Sequence, residues 1–224
     1  MIRLCVFDMD GLLLDSERQL YLKNGIDVST ELGKPISQFF LTTLMGGSWE
    51  NYRKKIAEEY GAYFSLDDYW KLFNERTQYM IENVAMPLRP GVKELLDFCK
   101  KEGIHMAIAT STPYDNAISL LHNSGIFDYI EFVIAADQVK NTKPDPEIFL
   151  RAIDHFNVPV KEALVFEDGH NGAQAAINGN CRLILVEDLA YLSDEDKEYA
   201  ELVLDNISPV INYIKEENER TAGV

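Results

Sequence analysis

The chain has 224 residues, more than the ~100–200 of one ordinary domain, and its 46% apolar and 26% charged content is globular rather than disordered. Against 21 Lys and Arg stand 37 Asp and Glu, a formal net charge of −16. So negative a surface repels nucleic-acid phosphates and anionic lipid, which argues against either as a partner. No apolar run approaches the ~20 residues of a membrane span. The short apolar start, Ile2 to Phe7, gives way to acid at Asp8, which predicts no secretory leader. Cys5, Cys99 and Cys181 lie far apart without metal-ligand spacing and read as buried, reduced thiols of a cytoplasmic protein.

In chain order, Ile2–Phe7 is the first of several short apolar runs that predict strands buried on both faces. Residues 17 to 86 contain no such run. There Trp49, Tyr52, Ile56 and Tyr60 recur at helical spacing, as do Leu66, Tyr69, Phe73, Thr77, Met80 and Val84, and Ser65 with Asp68 resembles a capping box. Val92, Leu95, Leu96 and Cys99 mark an amphipathic helix between Pro90 and Gly103. Strands are then expected at Met106–Ala109, Phe132–Ala135, Ala163–Phe166, Leu183–Val186 and, more weakly, Leu202–Leu204. Thr112-Pro113 and Asp145-Pro146 each set a capping side chain before a proline that opens a helix. Residues 216–224 are polar and expected to fray. The fold class is therefore α/β: a parallel-sheet, Rossmann-like core wrapped by helices, formed by 1–16 and 87–224, with an all-helical cap inserted over 17–86. The two ends of that insertion must lie close together, with hinges near Ser16 and Pro87 and a third point of motion at Gly46-Gly47.

Open parallel sheets bind ligands beyond the carboxyl ends of their strands, so the residues just past each strand carry the chemistry. Asp8 and Asp10 follow the first strand, in Asp8-Met9-Asp10-Gly11; Thr110 and Ser111 follow the second; Lys143 precedes a helix start; Glu167 and Asp168 follow the Ala163–Phe166 strand. Two acid pairs, hydroxyls and a lysine are the parts needed for phosphoryl transfer. Carboxylates from two strand ends supply hard oxygen ligands for Mg²⁺, and the lysine and hydroxyls face the phosphate oxygens. One carboxylate attacks phosphorus and a second handles the proton of the leaving oxygen. No glycine-rich phosphate loop of the Walker type is present. His170 reads as incidental, the Asp15-Ser16 pair as structural, and Trp49 as a cap residue.

Four segments in order, Phe7-Asp8-Met9-Asp10-Gly11-Leu12-Leu13-Leu14-Asp15-Ser16, Thr110-Ser111, Lys143-Pro144-Asp145-Pro146 and Val165-Phe166-Glu167-Asp168-Gly169-His170-Asn171-Gly172, resemble the motifs of the haloacid dehalogenase superfamily. The nearest branch is the phosphatase and β-phosphoglucomutase-like one, whose small cap sits where the helical insertion lies. The resemblance implies Asp8 as nucleophile, Asp10 as general acid and base, and Thr110, Ser111 and Lys143 as phosphate-holding groups. It also implies Mg²⁺ held by Asp8, Asp168, Glu167 and Asp10, the last through its carbonyl. The superfamily's dehalogenases lack the acid at Asp10, so dehalogenation is not expected. The branch's sugar-phosphate mutase carries a cap histidine and basic cap residues; Glu17-Arg18-Gln19-Leu20 and Met45-Gly46-Gly47-Ser48-Trp49 read as apolar at those points. Gly169 replaces a serine common in the branch, removing one supporting hydrogen bond. The expected activity is thus a Mg²⁺-dependent phosphatase of small phosphorylated metabolites, of sugar or polyol phosphate type. A phosphosugar mutase and a phospho-accepting receiver-type signalling domain are the alternatives. Oligomeric state is left open, a monomer being compatible.

Overall fold

The computed structural model describes residues 1–44 and 49–222. Six strands form one sheet in the order β3-β2-β1-β4-β5-β6: β1 Leu4–Phe7, β2 His105–Thr110, β3 Phe132–Ala135, β4 Ala163–Glu167, β5 Arg182–Val186 and β6 Leu202–Leu204. Every pairing is parallel, with Phe7 level with Ile108 on one side and Phe166 on the other. The apolar runs of the sequence become these strands because both sheet faces are covered. Cys5 and Phe7 point to one face, where α5 (Val92–Glu102), α6 (Tyr114–Asn123) and α10 (Val210–Ala222) bury Leu95, Leu120 and Ile214. Leu4 and Val6 point to the other, against Phe149 of α7 (Glu147–His155) and Ala173 of α8 (His170–Asn178). A strand order that reverses direction of growth at β1 opens a crevice at the carboxyl ends of β1 and β4.

Between β1 and α5 the chain is helical wherever it is regular. A π-helical turn, Glu17–Lys23, runs into α1 (Asn24–Glu31), followed by α2 (Gln38–Thr42), α3 (Trp49–Tyr60) and α4 (Leu66–Asn83). Ser65 caps α4, its hydroxyl accepting from the Asp68 amide at 3.3 Å. Tyr52, Ile56, Tyr69, Trp70 and Phe73 build a third core here, separate from the two on the sheet. Its aromatic rings meet edge-on or offset, as between Tyr69 and Trp70 at 4.7 Å. The expected Gly46-Gly47 motion lies outside the described residues, as do residues 45–48 as a whole and the side chain of Trp49.

The segments entering and leaving this helical insertion are hydrogen-bonded to one another around an isolated antiparallel bridge between Leu14 and Leu88. The Asp15 amide donates to the Pro87 carbonyl at 2.8 Å and the Arg89 amide to Leu13 at 2.9 Å. An ionic cluster reinforces them. Asp188, beyond β5, has a side chain 1% exposed and accepts from Arg18 at 2.5 and 2.9 Å and from Arg89 at 2.8 Å; Arg18 also reaches Asp15 at 2.8 Å. The arginines are partly exposed, at 35% and 16%, so solvent screens part of the attraction. Asp188→Ala is expected to lower the unfolding free energy by about 2–3 kcal/mol, because it strands Arg89 without its buried partner. Urea melts of the two proteins read this difference.

Two local expectations are corrected. Pro113 and Pro146 occupy the cap positions of α6 and α7, so those helices start one residue later, at Tyr114 and Glu147. Residues 216–222 do not fray: α10 continues to Ala222, because Asn218 accepts the Ile2 amide at 2.5 Å and Glu217 pairs with Arg182 at 2.7 Å. The three cysteines are buried and unpaired by disulfide.

Candidate active site

At the carboxyl end of the sheet, a cavity of about 260 Å³ is lined by Asp8, Asp10, Ser111, Thr112, Lys143, Glu167 and Asp168 from the sheet side. Glu17, Tyr21, Leu44 and Tyr52 line it from the helical insertion. Its size suits a small substrate, below the ~300–1,000 Å³ typical of drug-sized ligands. Asp8 follows β1 directly, and its amide donates to the Phe166 carbonyl at 2.9 Å, so the sheet itself sets its position.

Lys143 arrives from the loop before α7, on a cis peptide to Pro144. Its Nζ lies 2.5 Å from Asp8 Oδ1 and 2.5 Å from Glu167 Oε1, with all three side chains nearly sealed from water. Burial opposes the ammonium charge, but the carboxylates of Asp8 and Glu167 outweigh it and hold Lys143 well above the ordinary lysine range. Glu167 is fully engaged. Its other oxygen accepts from the amides of Asp168 at 3.0 Å and Gly169 at 3.1 Å. Gly169 thus contributes through its backbone where a serine side chain was expected. Gly172 of α8 is needed as well, because a Cβ there would overlap the Glu167 carboxylate.

Asp10 is half-buried and enclosed by hydroxyls. Ser16 Oγ donates to Oδ1 at 2.6 Å, Thr112 Oγ1 to Oδ2 at 2.7 Å and Thr110 Oγ1 at the longer 3.4 Å. Burial and the Asp8 charge push its carboxyl up, against the three hydroxyls that favour the anion. A carboxyl raised in this way is suited to carry a proton. Thr110 itself is 0% exposed and stands behind the cavity wall, its hydroxyl also accepting from the Thr112 amide at 3.1 Å. Ser111 and Thr112 face the cavity in its place.

The four acids expected to hold a metal all line the cavity, but they are engaged differently. The carboxylate oxygens of Glu167 are taken by the partners above; those of Asp10 are held by hydroxyls, and the resemblance assigns its backbone carbonyl, not its side chain, to the metal. Asp168 instead groups with Glu17 and Asp188, one carboxylate oxygen from each lying within 4.8 Å of the others. Burial first, then the charges of Glu167, Asp8, Glu17 and Asp188, push the Asp168 carboxyl well above its usual range. Gly11, at φ +82°, lets the chain pass this carboxylate, which a Cβ would overlap. A buried, oxygen-only set with more negative charge than Lys143 can neutralise fits a hard divalent cation such as Mg²⁺.

Several site residues were missed in the sequence. Ser16 had been read as structural, yet it holds Asp10. Thr112 had been read as a helix cap. Glu17 lies in a stretch read as apolar and puts a carboxyl into the cavity. Asp188 follows β5, where the same strand-end rule that found Asp8 and Asp168 would have found it. His170, read as incidental, has its Nδ1 2.6 Å from Asp196 Oδ2. Among the described residues, no helix is long and apolar enough to cross a membrane.

Comparison with known proteins agrees with this geometry. Residues 2–180 match the family model of haloacid dehalogenase-like hydrolases. The chain is 34% identical over 171 residues to a phosphorylated carbohydrates phosphatase of Thermotoga maritima, covering 76% of this chain and 78% of that one. It is 31% identical over 210 residues to a probable pseudouridine-5'-phosphatase of Drosophila melanogaster, covering 91% and 89%. Among solved structures, a protein from Thermotoga maritima described as a putative β-phosphoglucomutase superposes with a TM-score of 0.80 at 30% identity, over 96% of this chain and 99% of that one. Such kinship leaves no place for the receiver-domain alternative. The chain belongs to the haloacid dehalogenase-like hydrolase family, on its phosphatase and β-phosphoglucomutase-like branch.

Proposed function

We propose that this phosphoric monoester hydrolase is a Mg²⁺-dependent phosphatase of small phosphorylated carbohydrates or polyols, working through an aspartyl-phosphate at Asp8. The observation that carries the reading is Lys143, held 2.5 Å from both Asp8 and Glu167 beside a hydroxyl-caged Asp10. An Asp8 carboxylate oxygen attacks phosphorus, and the bond from phosphorus to the ester oxygen breaks. The departing alkoxide takes its proton from Asp10. Asp10, now a carboxylate, then removes a proton from water, whose oxygen attacks the phosphoryl group and frees Asp8 as phosphate leaves. Lys143, with Ser111 and Thr112, faces the non-bridging oxygens and offsets their charge. Glu167 orients Lys143. Asp8 and Asp168 would hold the metal, which supplies further charge neutralisation on the phosphoryl oxygens. Residues 17–86 serve as a cap that closes over the substrate and keeps bulk water out, hinging at the paired segments near Ser16 and Pro87.

The mutase alternative needs a cationic grip on a second phosphate, and among the described cavity residues Lys143 is the one cation. Phosphate release screened over several dozen phosphorylated metabolites, with and without EDTA, tests the proposal; release that survives chelation, or conversion between hexose phosphate isomers without release, refutes it. A second readout is independent of turnover. Mg²⁺ is expected to raise the melting temperature of the wild type by several degrees and to leave Asp168→Asn unchanged, since binding to the folded state alone stabilises it. Asp168→Asn without metal should melt no lower than the wild type, because it removes a buried, repelled charge.

A further inference from the structure

The helical side of the cavity is chemically one-sided. Glu17, Tyr21, Leu44 and Tyr52 face Lys143 across it, and none is cationic. Among the described residues no Lys or Arg of the insertion lines the cavity, and several are engaged elsewhere: Arg18 on Asp15 and Asp188, Arg76 on Glu31, Lys55 on Glu58, and Arg53 over the Trp70 ring. Residues 45–48 are Met-Gly-Gly-Ser and carry no charge in their sequence. Glu17 has a second peculiarity. Its Oε2 is shut off from solvent and receives no hydrogen bond, and one oxygen of its carboxyl lies within 4.8 Å of a carboxylate oxygen of Asp168 and one of Asp188. Burying an acceptor without a donor is costly, so such an atom invites a donor from a ligand.

We infer that Glu17 is a specificity-determining residue: its buried carboxyl exchanges a hydrogen bond with a hydroxyl on the carbon chain of the substrate, and the cation-free wall around it turns away substrates with a second anionic group. The inference rests on the phosphatase reading and names what that phosphatase selects, namely monophosphates whose remaining groups are neutral hydroxyls. A phosphate at one end enters against Lys143, Ser111 and Thr112. The other end meets Glu17, with Tyr21 and Tyr52 beside it in the cavity wall. A carboxylate or second phosphate placed there would meet acids and no compensating cation, so it is excluded by repulsion as much as by a missing contact.

The test compares three probes on wild type, Glu17→Gln and Glu17→Ala at saturating Mg²⁺: glycerol 3-phosphate, phosphoglycolate, and phenyl phosphate, which has neither hydroxyl nor second anion. In the wild type, kcat/KM for glycerol 3-phosphate should exceed that for phosphoglycolate by about tenfold or more. In Glu17→Ala the ratio of glycerol 3-phosphate to phenyl phosphate should fall about tenfold, through KM rather than kcat, while phosphoglycolate gains relative to phenyl phosphate. Ratios within one variant cancel any general loss of folded enzyme. Unchanged ratios alongside a raised half-saturating Mg²⁺ concentration would assign Glu17 to the metal and overturn the inference while leaving the phosphatase reading intact. Wild-type enzyme that releases phosphate from none of the three would overturn both.

Discussion

Asp8→Asn is expected to lower kcat by at least about 10⁴-fold, the scale on which loss of a nucleophile is felt when no neighbour replaces it. The alternatives within reach are few. Asp10 is enclosed by Ser16, Thr110 and Thr112, and Glu167 is fixed on Lys143 and two amides. An amide at position 8 keeps the shape and can still accept from Lys143, so circular dichroism and melting temperature should remain at wild-type level or rise. It cannot attack phosphorus as a carboxylate does, and no acid-stable phospho-protein should be trapped after mixing with substrate. Rapid-quench measurement on both proteins reads this directly: a phospho-enzyme burst in the wild type, none in the variant. Multiple turnovers by Asp8→Asn at a rate near wild type would remove the nucleophile and the mechanism with it.

Lys143→Met has the second largest expected effect, and it falls on stability as well as rate. The ammonium lies between two carboxylates that are themselves out of water. Taking it away leaves Asp8 and Glu167 facing each other without a counter-charge, a loss of about 3–5 kcal/mol for a buried pair so broken. The sign of the pH dependence follows. Burial already pushes the Glu167 carboxyl up, and without Lys143 nothing of opposite charge holds it down, so its folded-state pKa lies above the unfolded one; the deficit is absent below about pH 4 and grows as pH rises towards neutrality. Turnover should fall about 10²–10³-fold through loss of charge on the phosphoryl oxygens. Adding Glu167→Gln to Lys143→Met should restore part of the stability and none of the activity, which separates the two roles. Denaturant melts at pH 5 and pH 8, with steady-state rates, measure both. A variant equally stable at the two pH values would show that Lys143 is not the counter-ion of this pair.

The strands were legible because burial on both faces demands near-continuous apolar runs, and each predicted run overlaps a strand of the sheet, down to the edge strand Leu202–Leu204. The helical insertion was legible for the opposite reason: one buried face per helix leaves a spacing of three to four between Tyr52, Ile56 and Tyr60. Asp8, Asp10, Lys143, Glu167 and Asp168 could be named because strand ends in a parallel sheet converge on one edge. Boundaries were less secure. A proline before a helix is equally at home at the cap or the first turn, and α10 is polar enough to look frayed until Arg182 and Ile2 are seen to hold it.

What the sequence determined by itself is the set of groups delivered to the carboxyl edge and the class of chemistry they permit, since period-two and period-3.6 patterns specify which residues follow which strand. Which atoms of those groups face one another was decided only by the tertiary structure. Lys143 is 24 residues from Glu167 and 135 from Asp8, and no local pattern predicts that one ammonium serves both. Glu17 lay in a stretch read as apolar; it becomes part of the cavity because the hydrogen-bonded segments at Leu13 and Arg89 and the Arg18–Asp188 contact fold the π-helical turn over the sheet edge. Contacts between distant segments depend on how separately formed layers dock, and that docking is set by packing and ion pairing that one-dimensional periodicity does not carry.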